Sequence, residues 1–266
     1  MITLADNLGK STLNRCRDFV ALVVFVYLSI RSVLKLRFRN LKPLLYTLTS
    51  QIYFTGVMAI PLISFIALAT GSVVVIQSTA QLSLLGSKEI MGNILVMTII
   101  RELGPILTAM VVIARSGTAV ATELGTMQTN HEIEALRTMS IEPLSYVVFP
   151  RILGGVISIL CLAFYFNCVA LIGGYVVANQ LNPVSISFYT EVLAQAMSTD
   201  DFMWSIFKNA SSGFIIFSIA SFEGLKVSGA PHEVPIASTK SVVHGIMAVV
   251  AFNLTLSIYI YAKALT

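Results

Sequence analysis

Charge is what this 266-residue sequence has least of: Asp, Glu, Lys and Arg make up 11% of it, against about 25% in a soluble domain. Hydrophobic residues make up 56%, more than a chain this short can hide from water, so lipid must solvate much of it. The basic surplus is small, a net +4. No basic stripe with interleaved aromatics lies outside the apolar runs, which argues against nucleic acid as a partner. Cysteine is scarce and odd in number. Cys16, Cys161 and Cys168 have neither metal-ligand nor CxxC spacing, and core filling is their expected role. Histidine is equally thin: His131, His232 and His244 form no HxxxH pair. His131 reads as a solvent-facing or interface residue. A phosphate-binding loop is missing too. Gly9-Lys10-Ser11 imitates its end, but Leu4 stands where its first glycine belongs and no strand precedes it. The chain therefore has no nucleotide motor of its own and no bound cofactor is expected. No secretory signal is legible either: Asp6 sits early and no small-residue cleavage site follows an apolar core, so the N-terminus is expected to be retained.

What the sequence has is long gaps between charges. These predict an all-α membrane protein, a single domain over 1–266, with five spans at about 52–78, 90–114, 152–178, 202–222 and 241–263. Phe19 to Ile30 is apolar but only twelve residues long, with basic residues on both sides. It predicts an amphipathic helix within about 12–40 lying in the membrane interface, with a short first span as the alternative. Pro61 and Gly71 fall inside the first span as a kink and a close-packing point, and Pro105 bends the second. Gly154, Gly155, Gly173 and Gly174 suit tight helix contacts in the third. Lysine and arginine set the orientation. With the N-terminus inside, thirteen basic residues lie on the inner side, and only Lys88, Lys208 and Lys263 on the outer. The acidic loop from Asn179 to Asp201 suits the outer side. The expectation is a multi-pass protein with a cytoplasmic N-terminus and an outer C-terminus.

The densest polar run is RELGP at 101–105, followed by ARSGTAVATELGTMQTNHEIEALRTMSIEPLSYVVFPR at 114–151. Ala114, Thr118 and Thr122 recur every four residues, as do Gly117, Ala121 and Gly125, a spacing that lets helices approach closely. Ile133, Leu136 and Met139 share one helical face, with Glu134 and Arg137 off it and Glu132 nearer to it. A short amphipathic helix between spans 2 and 3, in a region of about 117–142, can dock into another protein's groove. The partner natural to a transporter without a motor is an ATPase. The bland alternative is a plain helix on the bilayer surface.

That run of about 50 residues resembles the signature region of the MlaE/YrbE permease family, the membrane subunits of Mla-type ABC transporters. The likeness extends more loosely over nearly the whole chain, including STKSVVHG at 238–245. The resemblance implies a homodimer around a phospholipid cavity, one cytoplasmic ATPase bound to each protomer, and an MCE-domain protein on the outer face. It implies ATPase coupling through about Glu123 to Met139, with Glu123, Leu124, Gly125, Thr126, Met127, Glu132, Ile133, Leu136 and Met139 as candidates. By analogy Val74, Gln81, Leu82 and Leu85 line the lipid cavity, although Gln81 and Leu85 replace a more apolar and an aromatic residue of better-known members. It further implies a bacterial inner membrane and a role in outer-membrane lipid asymmetry.

Arg101 and Glu102 are ionisable inside a span, where charges are costly and face a partner or a cavity. Neighbours on a helix point about 100° apart, so each is expected to meet a group elsewhere. Two readings stand: an ion pair locking helices together, or a polar element of a gate or headgroup site. Two other functions are open to such a chain. An intramembrane lipid-modifying enzyme needs a nucleophile and base at depth, and Arg101 and Glu102 are the only ionisable pair there. A structural anchor would bind neither ATPase nor MCE protein.

Overall fold

The computed structural model describes Arg17, residues 20–29, Arg31 and residues 41–85, 88–181 and 185–265, without the side chains of 41–43, 79–85, 88–91, 178, 181 and 264–265. The described chain is helical, with no strand among the described residues. Its elements are α1 (Val20–Ser29), α2 (Leu41–Thr55), α3 (Ile60–Leu85), α4 (Lys88–Leu95), α5 (Gly104–Val112), α6 (Thr118–Thr129), α7 (Glu132–Thr138), α8 (Phe149–Leu181), α9 (Ile186–Ala196), α10 (Thr199–Leu225) and α11 (Glu233–Leu265).

Several of these join end to end. Leu44–Ser78, Gly92–Thr129, Leu144–Val177 and Glu233–Lys263 form four helices long and apolar enough to cross a bilayer. The remaining expected span, the fourth at about 202–222, falls on the 27-residue α10. At about 1.5 Å per residue it is long enough, but Asp200, Asp201, Lys208 and Glu223 lie along it. It packs against α6, α8 and α11, and Asp201, Lys208 and Glu223 are buried against partners within the bundle, while Asp200 is exposed. α1 is apolar over its ten contiguous described residues, and Arg17 and Arg31 are helical as well; the rest of the 12–40 segment lies outside the described residues. Phe25 of α1 meets Phe222 of α10 edge to face at 5.7 Å.

Helices in lipid gain little from hydrophobic burial against one another, so close packing must hold them. The crossing of α3 and α8 shows how. A Cβ added to Gly174 would sit 2.7 Å from the backbone carbonyl of Gly71, so only glycine lets the two backbones approach this far. Ile63, Val75, Ile159, Phe166 and Phe217 are fully buried in the core around that crossing and its continuation into α10. Cysteine behaves otherwise than expected: Cys161 is exposed and Cys168 half-buried, so Cys161 fills no core. Cys16 lies outside the described residues.

The helices change their hydrogen-bonding pattern where the sequence removes a donor. Pro61 brings no N–H to the carbonyl of Val57, and the turn Val57–Ala59 tightens into a 3-10 helix there. Pro105 does the same to Arg101, and the preceding Val96–Leu103 is a π-helix. Two further π-helical stretches, Ile113–Gly117 and Leu144–Val148, interrupt the second and third long helices. Such interruptions gather at functional sites.

Candidate functional site

Three features stand out: a charged cluster at each end of the bundle and an apolar groove on α3. The first cluster surrounds Arg101 and Glu102. Each finds its own partner, on a different residue of α10. Arg101 Nε lies 2.7 Å from Asp201 Oδ1, a charge contact whose N–H is not aligned for a hydrogen bond. Asp201 is buried and also closes the N-terminus of α10. Its Oδ2 accepts from Ser198 N at 3.1 Å, and its own N–H donates to Ser198 Oγ at 3.3 Å, a reciprocal capping box.

Lys208 is the centre of the cluster. The sequence places it among the outer basic residues; the structure places it inside the bundle, its side chain 2% exposed. Its Nζ donates to the carbonyl of Arg101 at 2.9 Å, to Glu102 Oε1 at 3.2 Å and to Ser257 Oγ at 2.9 Å. All three donors of the ammonium are therefore used. The first acceptor is the carbonyl that Pro105 leaves without its helical N–H. Glu102 also accepts from Ser257 Oγ at 2.9 Å and from Tyr261 OH at 3.4 Å. The cluster thus ties the Gly92–Thr129 helix to α10 and α11. The space left among Arg101, Glu102, Asp201, Lys208 and Tyr261 is about 10 Å³, room for about one water at most. A lipid headgroup does not fit there in this arrangement.

Sequence reasoning missed Asp201, Lys208, Ser257 and Tyr261. A signal was present: Asp201 and Lys208 are two helical turns apart, and Ser257 and Tyr261 one turn, so each pair shares a face.

The second cluster lies at the opposite end, where α6 and α10 finish and α8 and α11 begin. Arg151 holds Glu123 in a two-point contact, Nη2 to Oε1 at 2.7 Å and Nε to Oε2 at 3.3 Å, and donates Nη1 to the carbonyl of Val147 at 2.8 Å. Such a fork fixes geometry as well as charge. His244 Nδ1 lies 3.0 Å from Glu223 Oε1 and links α11 to α10. Each pair here joins a buried partner to an exposed one: Glu123 is 56% exposed and His244 51%.

The candidate coupling residues divide by burial. Leu124, Gly125 and Ile133 are buried by their own chain, so in this arrangement they touch no docked partner. Gly125 faces Val227 and Val234, each 3.3 Å from where its Cβ would be. Gly117 and Ala121 are buried on the same row, and the small-residue spacing serves packing against α10 and α11. Leu136 and Met127 are half-buried. Glu123, Thr126, Glu132 and Met139 are exposed. Met139 follows α7 rather than sharing its buried face, because the helix ends at Thr138.

α7 is held at both ends by strained backbone. His131 (φ 58°) precedes it and Ser140 (φ 60°) follows it; left-handed residues of this kind cost about 1 kcal/mol or more and persist only where the surroundings fix them. His131 Nδ1 lies 3.1 Å from Glu134 Oε2. Ile133 and Leu144 line a cup of about 400 Å³ behind α7, together with Gln128, Arg137 and Leu225.

The groove on α3 is lined by Ala69, Thr70, Val73, Val74 and Leu103, with a volume of about 310 Å³. Val74 is the one cavity candidate whose side chain is described; those of Gln81, Leu82 and Leu85 lie outside the described residues. Near the Arg101 end, Tyr189 of α9 donates its OH to the carbonyl of Leu171 at 3.1 Å. Burial pushes its phenol pKa above the usual value, which keeps the donor protonated.

Comparison with known proteins adds a family to this geometry. The family model described as permease MlaE matches residues 48–259. A probable ABC transporter permease of Rickettsia bellii is 26% identical over 254 residues, covering 95% of this chain and 96% of the relative. A probable ABC transporter permease of Synechocystis is 30% identical over 200 residues, 75% of each chain. The intermembrane phospholipid transport system permease of Haemophilus influenzae is 26% identical over 211 residues, 79% of this chain and 81% of the relative.

Proposed function

The chain belongs to the MlaE permease family, transporter permeases rather than enzymes, and from that premise we propose that it moves phospholipid between a bacterial inner membrane and an MCE-domain protein. A separate cytoplasmic ATPase drives the movement. The N-terminus is cytoplasmic, and the Glu123 end of the bundle faces the ATPase. Two copies enclose the lipid, each contributing its α3 groove around Val74, and the transport maintains the lipid asymmetry of the outer membrane.

One observation carries this reading: α7 is a short helix flanked by two left-handed residues at one end of the bundle, with Glu132 exposed on it. Glu123 and Thr126 of α6, Glu132 of α7 and Met139 just after it are the exposed contact residues. Charge distribution supports the same orientation, because Arg115, Arg137, Arg151, Lys226 and Lys240 belong to this half of the bundle. The cluster at the other end acts as a lock between helices, which a transport cycle must strain or keep.

The intramembrane enzyme has less support. Arg101, Glu102, Asp201 and Lys208 are engaged with one another, and their enclosed space leaves no room for a lipid substrate.

The test is co-purification of the tagged chain from membranes, with ATPase activity followed as lipid is added. The reading expects an ATPase subunit to be retained and Glu132→Arg with Met139→Asp to release it, while the variant chain unfolds at an unchanged temperature. Retention that is indifferent to these substitutions would remove α7 from the interface. Absence of any ATPase from the purified complex would favour a structural anchor.

A further inference from the structure

We propose that each chain also seats one acyl chain of a bilayer phospholipid in a second cleft, formed by α1, α8, α10 and α11 and sharing no helix with the Val74 groove. The cleft measures about 590 Å³, within the range of roughly 300–1,000 Å³ found for small-molecule sites. Val26, Ile152, Ala210, Phe214 and Phe252 give it an apolar wall. Of its two serines, Ser29 already donates its hydroxyl to the carbonyl of Phe25 at 2.8 Å, and Ser211 is the other.

Such a wall offers water too few partners to stay, and an apolar cavity without them is dry. Left empty, its lining forfeits dispersion contacts. The fluid that meets this side of the bundle is lipid hydrocarbon, because α8 and α11 belong to helices long enough to cross the bilayer. A flexible hydrocarbon chain is what can enter from it. α1 closes one flank, and Arg17 and Arg31 bound its described apolar stretch Val20–Ser29. An apolar helix flanked by cations can rest near the bilayer boundary, where lipid chains begin. Arg17 and Arg31 are exposed on either side of it, and exposed cations at that level attract phosphate headgroups. The occupant is thus a phospholipid, held by one tail, and neither an ATPase nor a second copy is required for it.

The test uses the full chain in nanodiscs of phosphatidylethanolamine and phosphatidylglycerol. These are doped with phosphatidylethanolamine carrying a diazirine midway along one acyl chain. After photolysis, adducts are mapped by peptide mass spectrometry and compared with those on Leu254, which is exposed on the bundle surface. At low probe fraction we expect adducts on the Ile152, Ala210 and Phe214 peptides about tenfold above Leu254, a ratio equivalent to about 1.4 kcal/mol, and saturating as the probe fraction rises. Ala210→Trp, filling the cleft, should remove the excess without changing the Leu254 adducts. Labelling that rises in step with Leu254 across the whole range would overturn the site, and that titration of the unsubstituted chain decides the matter even if Ala210→Trp fails to fold. Persistence of the excess in a folded Ala210→Trp chain would overturn it as well. Equal labelling by a diazirine fatty acid without a headgroup would overturn the assignment to phospholipid.

Discussion

The two ends of the bundle use the same chemistry, a basic side chain against a carboxylate, in opposite surroundings. Around Lys208 the ammonium is buried, every one of its donors is used and three helices meet. Around Glu123 and Glu223 each pair keeps one partner in the open. A buried pair whose partner is removed strands a charge in a medium that cannot solvate it. An exposed pair is screened by solvent and can break and re-form at little cost. The Arg101 end is therefore built to resist separation of its helices, and the Glu123 end to tolerate movement.

The sharpest way to break this contrast is to remove Lys208. Lys208→Met should destabilise the chain by about 3–5 kcal/mol, read as a fall in the unfolding temperature in detergent. Adding Glu102→Gln should restore much of the loss, because the stranded carboxylate is then gone. If the double variant is no better than the single one, the two residues are not coupled as the 3.2 Å contact implies. Glu102→Ala alone should impair lipid transport. A chain with that change that expresses, assembles and transports normally would leave the cluster without a part in transport. At an intermediate level, Gly125→Leu should cost about 1–3 kcal/mol by overpacking against Val227 and Val234 and should weaken ATPase binding through the displaced α6. Smallest in stability is Glu123→Gln, which keeps an acceptor for the buried Arg151 guanidinium, at about 1 kcal/mol or less. Its expected signature is functional: lipid-stimulated ATP hydrolysis falls while the unfolding temperature holds.

The same contrast explains what could be read from the sequence. Long charge-free runs mark apolar helices directly, because lipid tolerates nothing else, and the runs beginning near Ile52, Ile90, Ile152 and Ser241 all fall within long helices. The composition of α10 hides it: Asp201 and Lys208 look like loop or surface residues until their partners on other helices are known. Arg101 and Glu102 could be flagged from position alone, and the expectation that each meets a group elsewhere agrees with the contacts to Asp201 and Lys208. Which groups those are depends on how helices 100 residues apart in sequence come together, and Lys208 and Glu102 are 106 apart. Around α7, periodicity gave the helix and the inward turn of Ile133 and Leu136. It could not foresee that Ser140 turns left-handed and leaves Met139 outside, nor that Leu124 and Gly125 are spent on packing.

The central claim is that this bundle carries phospholipid under the drive of a separate motor. Its most direct test reconstitutes the chain with its co-purified ATPase in liposomes containing a fluorescent phospholipid and follows transfer to or from an added MCE-domain protein. The account predicts transfer that requires ATP, falls with Glu132→Arg and Met139→Asp, and falls again with Glu102→Ala. Transfer at the same rate without ATP or without the chain, or none at all from an intact complex hydrolysing ATP, would contradict it.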